Sequence, residues 1–123
     1  MVDVWIVGLH AAFAGEVEAW PAEVRVEMLA QAGLLAQIGP GLGRPRVDTL
    51  NGSRHANMKE LRFSAGGGEW RVAFAFDPRR QAILLVGGDK SGVGQKRFYR
   101  SLIATADARF DDHLDALAAE KKP

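Results

Sequence analysis

Large apolar residues occupy every second position from residue 70 to residue 76, with arginine or alanine between them. This period of two predicts a β-strand whose core face carries Trp70, Val72, Phe74 and Phe76. Asp77-Pro78-Arg79-Arg80 then predicts a turn, because proline presets φ for the second position of a type I turn. The return strand, Ala82–Val86, is apolar throughout, which favours a central strand covered on both faces.

The N-terminal part of the chain predicts one strand and two helices. Val2–Leu9 is the predicted strand. The candidates for its inward positions are Val4, Ile6 and Trp5. Helically spaced apolar residues predict helices over Ala11–Trp20 and Pro21–Ile38, because Trp20-Pro21 breaks the register. A single kinked helix over the same residues is the alternative.

Two shorter strands and a long helix complete the pattern. Val47–Leu50 and Met58–Phe63 are the predicted strands, and residues 87–94 form a glycine-rich connection to a terminal helix. The apolar face of that helix comprises Phe98, Leu102, Ala106, Phe110, Leu114 and Leu117. The order β-α-α-β-β-β-β-α predicts an α+β fold with a mostly antiparallel sheet of about five strands. We expect the helices on one face of this sheet, which leaves the other face free and basic.

Composition is that of an ordinary globular protein. With 123 residues, 47% of them hydrophobic and 25% charged, we expect one domain over residues 1–123 with a flexible tail at 119–123. Cysteine is absent, so disulfides and thiolate metal sites are excluded. We expect a cytoplasmic protein, since the sequence has neither a signal-peptide pattern nor an apolar run of membrane-spanning length.

Charge is distributed unevenly along the chain, although the formal net charge is only +1. Residues 1–43 carry −4, residues 44–100 carry +7 and residues 101–123 carry −2. The field of a clustered patch persists where net charge does not, so the basic middle segment predicts a surface for a polyanion such as RNA. The candidate RNA-binding residues of the chain are Arg44, Arg46, Arg54, Lys59, Lys96, Arg97 and Arg100.

The glycine-rich segment at 87–94 invites comparison with a phosphate-binding loop. The Walker spacing fails, because Gln95 separates the last glycine from Lys96-Arg97, and the second of these stands where serine or threonine is required. We therefore interpret the segment as a flexible connection between strand and helix. Contact of Asp89, Lys90 and the loop amides with an RNA phosphate is the alternative.

Three cations, Arg62, Arg71 and Lys90, lie where strand pairing could bring them together. Arg71 stands among small alanines, and a charge is rarely placed in an apolar ribbon unless it is paired or functional. Three converging cations repel one another, which is tolerable chiefly where an anion binds. The alternative is ordinary ion pairing, in the combinations Arg62–Glu60, Arg62–Glu69 and Arg71–Asp89.

Two further residues are candidates for proton transfer or stacking. His55, in the basic segment 53–57, could titrate near neutrality, and a solvated loop histidine is the competing interpretation. Tyr99, the only tyrosine, could stack on a base or move a proton, or it could simply pack under the sheet. The histidines lie in different predicted elements, so we expect no metal site.

The motifs and their order resemble the RelE/HigB toxins of bacterial toxin–antitoxin modules, in particular the phage Gp49-related HigB branch. The resemblance is carried by Lys59-Glu60-Leu61-Arg62, by Trp70-Arg71-Val72 and by Leu84-Leu85-Val86-Gly87-Gly88-Asp89-Lys90. It covers nearly the whole chain and is strongest from Leu50 to Leu114. It implies a curved, mostly antiparallel sheet with two N-terminal helices and one C-terminal helix.

The resemblance also implies a function. Such a protein is a ribosome-dependent endoribonuclease that cuts mRNA in the decoding site, needs no metal and is held inactive by a cognate antitoxin, usually a helix-turn-helix DNA-binding protein. The family's strand arginine and terminal basic residue match Arg71 and Lys90, which implies contacts to the phosphate and to transition-state charge. Arg62 matches a second basic position, and Tyr99 approximates a C-terminal aromatic. The acid and base stay open, with His55 and Asp89 as candidates.

Two other functions are open on the same fold. A ParE-like inhibitor of DNA gyrase would bind a protein and cleave nothing, and it would not need Arg62, Arg71 and Lys90 to converge. A catalytically inactive phage protein would bind only its antitoxin or RNA.

Overall fold

A computed structural model describes residues 4–120, which form three α-helices and five β-strands. The strands are β1 (Ile6–Leu9), β2 (Val47–Thr49), β3 (Lys59–Ala65), β4 (Gly68–Phe76) and β5 (Gln81–Asp89). The helices are α1 (Ala11–Val17), α2 (Ala22–Ile38) and α3 (Gln95–Glu120), and a short 3-10 helix, Gly39–Gly41, follows α2. The predicted order of elements is confirmed.

The strands form one sheet in the order β1-β5-β4-β3-β2. β1 runs parallel to β5, and all other neighbours are antiparallel. The β3–β4 hairpin turns through Gly66 and Gly67, both at positive φ, where glycine has no steric penalty. The parallel partner β1 needs a longer crossover, which α1 and α2 supply. The predicted α+β class is therefore confirmed.

β4 and β5 form a hairpin at the centre of the sheet, as the sequence predicts. The Asp77 carboxylate accepts the backbone N–H groups of Arg79 and Gln81 and closes the turn. β5 lies between β1 and β4 and is covered on both faces. This position explains its unbroken apolar sequence.

The glycine-rich segment is shorter than predicted, because Gly87 and Gly88 continue β5 as far as Asp89. A Cβ at Gly87 would lie 2.9 Å from the side chains of Trp20 and Val72. Glycine at this position therefore lets β4, β5 and the α1–α2 connection pack closely. Only residues 90–94 connect β5 to α3.

Helices cover both faces of the sheet, so the expectation of one free, basic face is wrong. The core beneath α1 and α2 comprises Phe13, Val17, Val24, Met28, Leu35, Val47, Leu61, Phe63, Val72, Phe74, Ala82 and Leu84. The core beneath α3 comprises Leu50, Met58, Ala73, Ala75, Ile83, Leu85, Leu102, Ala106 and Phe110. The residues of β4 alternate between the two faces as predicted, but each face packs into one of these cores. Without α3 the second set would stay in water, and its burial is the physical reason for the correction.

The first strand begins at Ile6, and its inward positions are Val7 and Leu9. The predicted inward positions Val4 and Ile6 are wrong, since they are 70% and 64% exposed. A period of two allows either set to face the core, and packing against the neighbouring elements selects the odd positions. The third candidate, Trp5, is half-buried. Residues 2 and 3 of the predicted strand lie outside the described residues.

The two-helix interpretation of the N-terminal part is confirmed, although α1 ends at Val17 and not at residue 20. α2 begins after Pro21 and buries Val24, Met28 and Leu35, whereas Ile38 stays largely exposed. At the other end of the chain, residues 119 and 120 continue α3, although they were predicted as part of a tail. None of the helices within residues 4–120 is both long and apolar enough to span a membrane.

Candidate functional site

A cavity of about 310 Å³ opens where the first turns of α3 meet the β2–β3 end of the sheet. Its walls come from β2, β3, the residues after β2 and α3. The lining residues are Asp48, Thr49, Leu50, Asn51, Glu60, Arg62, Gln95 and Tyr99. Most of these side chains are polar, so the cavity is suited to a polar ligand.

Strand register places two arginines directly opposite each other beside this cavity. Arg62 of β3 pairs with Arg71 of β4, and Glu60 of β3 pairs with Asp48 of β2. Directly opposed like charges destabilise an antiparallel pair. The sheet therefore carries two unfavourable cross-strand pairs side by side, and they are partly compensated by contacts between the pairs.

Glu60 is the carboxylate at the centre of these contacts. Its Oε1 accepts a hydrogen bond of 3.0 Å from the Tyr99 hydroxyl and lies 3.6 Å from Nε of both Arg62 and Arg71. No residue within 4–120 donates a hydrogen bond to its Oε2. Burial raises the pKa of Glu60, and the Tyr99 hydrogen bond and the two arginines counteract that rise.

Arg71 is buried although it is charged. Its Nη1 donates to the Trp70 carbonyl oxygen at 2.9 Å and lies 4.0 Å from a Glu69 oxygen. Its Nε–H is buried without a hydrogen-bond acceptor among the described residues, because Glu60 is too far at 3.6 Å. One donor of this buried cation is therefore unsatisfied, which is costly unless a ligand or water accepts it.

Tyr99 lies on the cavity side of α3. Burial raises the pKa of its hydroxyl, and the neighbouring Glu60 carboxylate raises it further. The hydroxyl therefore keeps its proton and acts as a donor to Glu60 at neutral pH.

A second cavity, of about 420 Å³, lies on the other side of Arg62. Its lining residues are Pro45, Arg46, Arg62, Phe63, Ser64, Glu69 and Arg71. Three arginines against one glutamate give this cavity a formal charge of +2. The first cavity is polar and is lined by the carboxylates of Asp48 and Glu60, whereas the second has a net positive charge, and Arg62 lines both.

The structure separates Lys90 from the two arginines. Its backbone N–H donates to the carbonyl oxygen of Glu69, two residues or roughly 7 Å along β4 from Arg71. Its side chain forms no ion pair with the part of the chain that the structure describes, and it lines neither cavity. Asp89 does not pair with Arg71, because its carboxylate accepts the backbone N–H groups of Glu69 and Ser91.

His55 lies in a different polar group, the distal cluster, which joins the β2–β3 connection to the middle of α3. The cluster comprises Ser53, Arg54, His55, Asp107 and Asp111. His55 Nε2 lies 2.8 Å from Asp111, Arg54 forms an ion pair with the same carboxylate, and Ser53 donates to Asp107. Asp111 follows Tyr99 by twelve residues, roughly 18 Å along the helix. The structure therefore brings neither His55 nor Arg54 to the Glu60 cavity.

The other predicted RNA-binding residues fall into three groups. Arg44 forms an ion pair of 3.1 Å with Asp48 at the cavity rim, and Arg46 lines the second cavity. Lys59 opens β3 opposite Phe74, on the sheet face that lies under α2 and away from Arg62. Lys96, Arg97 and Arg100 are exposed on the first two turns of α3. Within residues 4–120, histidines and carboxylates form no group of three that could hold a metal ion.

The family model described as "Phage derived protein Gp49-like (DUF891)" matches residues 15–111 of this chain. That range includes every residue that lines the two cavities. The chain belongs to the Gp49-like family. The resemblance seen in the motifs is confirmed.

Two Mycobacterium tuberculosis proteins are similar to this Gp49-like chain. One, named "Putative toxin HigB2", is 52% identical over 82 residues, which are 66% of this chain and 40% of the relative. The other, named "Putative toxin HigB3", is 54% identical over 81 residues, which are 66% of this chain and 68% of the relative. The matched part therefore spans less than half of the first relative and about two thirds of the second.

A solved structure of a mutant of the E. coli toxin RelE in the free state has a similar fold. Its TM-score is 0.56 at 10% sequence identity, and the match covers 82% of this chain and 95% of that chain. At this identity the likeness concerns the fold alone. It confirms that the Gp49-like chain has the RelE-like architecture that the resemblance implies.

Sequence reasoning missed two residues of the candidate site, Glu60 and Asp48. Glu60 was considered only as an ion-pair partner of Arg62, and Asp48 was not considered. The available signal was the alternation of β3, which places Glu60 and Arg62 on one face. Its inward placement could not be read from that pattern, because it depends on Tyr99, thirty-nine residues later.

Proposed function

We propose that this Gp49-like chain is the toxin of a toxin–antitoxin module and a ribosome-dependent mRNA endoribonuclease, neutralised by a cognate antitoxin. The family membership and the two relatives named as HigB toxins support the toxin assignment. The nuclease assignment depends on the chemistry of the site.

The observation that carries the proposal is the buried, incompletely satisfied guanidinium of Arg71 next to Arg62. A buried cation with an unpaired donor, directly opposite a second cation, is stabilised when an anion binds between them. The planar guanidinium group matches the geometry of a phosphate oxygen pair. A phosphodiester at Arg62 would lie between the polar cavity and the cationic cavity.

Cleavage then follows from the neighbouring 2′-hydroxyl of the RNA. The 2′-oxygen forms a bond to phosphorus while its proton passes to a base, and the bond from phosphorus to the 5′-oxygen breaks. The leaving 5′-oxygen takes a proton from water, so the products are a 2′,3′-cyclic phosphate and a 5′-hydroxyl. Arg62 and Arg71 stabilise the dianionic phosphorane, a role in which fixed positive charge is worth several orders of magnitude in rate.

Glu60 is the base in this mechanism, in place of His55 and Asp89. Its Oε1 is held by Tyr99 and the two arginines, which leaves Oε2 to accept the 2′-hydroxyl proton. The burial that raises its pKa also makes it a stronger base than an exposed carboxylate. Tyr99 is a positioning residue, since its hydroxyl fixes the orientation of the carboxylate.

The start of α3 adds a binding surface for the RNA chain. Lys96, Arg97 and Arg100 occupy the first two turns, and the first turn contains no acidic residue. Cations at a helix N-terminus oppose the helix dipole at a cost of about 0.3–1 kcal/mol each. Nearby phosphates would reverse that unfavourable term, so these residues are suited to the RNA backbone.

Inducible expression in bacterial cells with mapping of mRNA 5′ ends tests the proposal. We expect the wild type to arrest growth and to produce new 5′-hydroxyl ends at fixed codon positions in translated mRNA. Arg71→Ala should abolish both effects. The alanine variant leaves the buried Glu60 carboxylate without the positive charge of Arg71, which could destabilise the fold. Arg71→Lys is therefore a second variant, because it keeps the positive charge and loses the planar guanidinium.

Growth arrest by the wild type without codon-positioned cleavage would contradict the nuclease assignment. Supercoiling of a reporter plasmid in the same cells would then distinguish a gyrase inhibitor. Absence of both arrest and cleavage in soluble, folded wild-type protein would favour an inactive binding protein.

A further inference from the structure

The polar cavity has lining residues that the proposed cleavage does not use. Glu60 and Arg62 act on the phosphodiester, whereas Asp48, Asn51 and Gln95 line the same cavity without a part in the cleavage. At about 310 Å³ the cavity lies at the low end of the range of roughly 300–1,000 Å³ for small-ligand sites, which suits a single nucleoside. The inference below rests on the proposed function.

Asp48 is held as an acceptor in this cavity. Its Oδ1 accepts the backbone N–H of Thr49 at 2.9 Å, and its Oδ2 lies 3.1 Å from Arg44 Nε and 3.9 Å from Arg62 Nη1. The hydrogen bond from Arg44, with that of the Thr49 backbone, lowers the pKa of Asp48. An ionised carboxylate has no proton to donate, and each of its oxygens can accept a further hydrogen bond.

We propose that Asp48, Asn51 and Gln95 bind the guanine base of the nucleotide whose 2′-hydroxyl attacks, so that cleavage occurs on the 3′ side of guanosine. Guanine presents two adjacent donors, N1–H and the N2 amino group, to the two oxygens of a carboxylate. Adenine, cytosine and uracil each present a single donor group on the same edge. Unstacked bases are read by such contacts to their Watson–Crick edges.

The other side chains of the cavity fit this assignment. The amide groups of Asn51 and Gln95 supply donors for the guanine O6 acceptor. Arg62 lines the cavity beside Asp48 and also lines the cationic cavity. A nucleoside held by Asp48 would therefore have its 3′-phosphate next to the arginine pair and its ribose next to Glu60.

Two matched variants test the role of the carboxylate in cleavage. Asp48→Asn replaces one acceptor oxygen with a donor, and Asp115→Asn makes the same change at an exposed position of α3 that lines neither cavity. We expect wild type and Asp115→Asn to cut mRNA mainly after guanosine, and Asp48→Asn to lose roughly tenfold of that preference. Equal loss in both variants, or wild-type cleavage without a guanosine preference, would overturn the inference and leave the proposed nuclease standing.

Binding to the free protein tests the pocket independently of cleavage. We expect guanosine 3′-monophosphate to shift the amide NMR signals of residues 48–51 and 95–99 in the wild type and less in Asp48→Asn. The adenosine, cytidine and uridine monophosphates should bind several times more weakly. Selective guanosine binding without RNA cleavage in cells would support the pocket and contradict the nuclease. Equal binding of all four, or shifts elsewhere, would overturn the pocket.

Discussion

The two polar groups under α3 differ in how completely their charges are paired. In the distal cluster each carboxylate has specific partners: Asp107 accepts from Ser53 and from the Arg54 backbone, and Asp111 contacts His55. Two residues further along α3, His113 lies 2.7 Å from Asp77, whose other oxygen closes the β4–β5 turn. These contacts fasten α3 to two loops.

The Glu60 group, which comprises Glu60, Arg62, Arg71 and Tyr99, is arranged differently. Two arginines oppose each other, three donors crowd one carboxylate oxygen, and one buried guanidinium N–H has no acceptor among residues 4–120. Satisfied polar groups stabilise a fold, whereas an unsatisfied group at a cavity wall is a cost that a ligand can remove. Under the proposed function, the distal cluster therefore has a structural role and the Glu60 group the chemical one.

The largest expected effect is that of Glu60→Gln on cleavage. Removing a general base lowers the rate by about 10²–10⁴-fold, and the amide keeps the size of the side chain. Single-turnover cleavage of ribosome-bound mRNA measures this rate. Asp111→Asn makes the same chemical change in the distal cluster and should leave the rate within about twofold. Similar losses in both variants would contradict the division between the two groups.

The second effect concerns stability and is expected at the contact between α3 and the β4–β5 turn. Asp77→Ala removes the acceptor for two backbone N–H groups and for His113, which should lower the free energy of unfolding by about 2–4 kcal/mol. Denaturant unfolding monitored by circular dichroism measures it. Asp112→Ala is the matched control, because Asp112 is 73% exposed and should cost less than about 1 kcal/mol. Equal stability of the two variants would refute this structural role.

The raised pKa of Glu60 makes stability and activity respond to pH in opposite directions. The folded state holds the Glu60 proton more tightly than the unfolded state, so the resulting stability is present below pH 4.5 and is lost as the pH rises through the folded-state pKa. Cleavage should rise over the same range, because the base must be deprotonated. The difference in unfolding free energy between wild type and Glu60→Gln, measured across this range, should fall with pH. A constant difference would argue against a perturbed Glu60.

The smallest effect is expected from one cation at the start of α3. Lys96→Gln should weaken RNA binding a few-fold and reduce the slope of log affinity against log salt by about 0.7, as for one lost phosphate contact. Fluorescence anisotropy with a short single-stranded RNA at several salt concentrations measures both quantities. Arg79→Gln, at the β4–β5 turn, is the control and should change neither. An unchanged slope for Lys96→Gln would show that Lys96 at the start of α3 does not contact RNA phosphates.

Local patterns of the sequence determined most of the secondary structure. The alternation of residues 70–76, the unbroken apolar run of β5 and the apolar face of α3 each depend on neighbours in the chain, so their periods predict strands and a helix directly. The same patterns placed Arg62 and Glu60 on one face of β3. The quoted motifs carried the family resemblance for the same reason, since they are contiguous.

Tertiary structure decided which charges meet. Whether Val4 or Val7 faces the core depends on how β1 packs against its neighbours, and the free sheet face disappears because α3 folds back over Ala73 and Ala75. The pairing of Arg62 with Arg71 follows from the β3–β4 register, and the Tyr99–Glu60 hydrogen bond joins residues distant in sequence. Register and packing are set by the whole molecule, so a local pattern could nominate Arg71 and Tyr99 but could not place Glu60 between them.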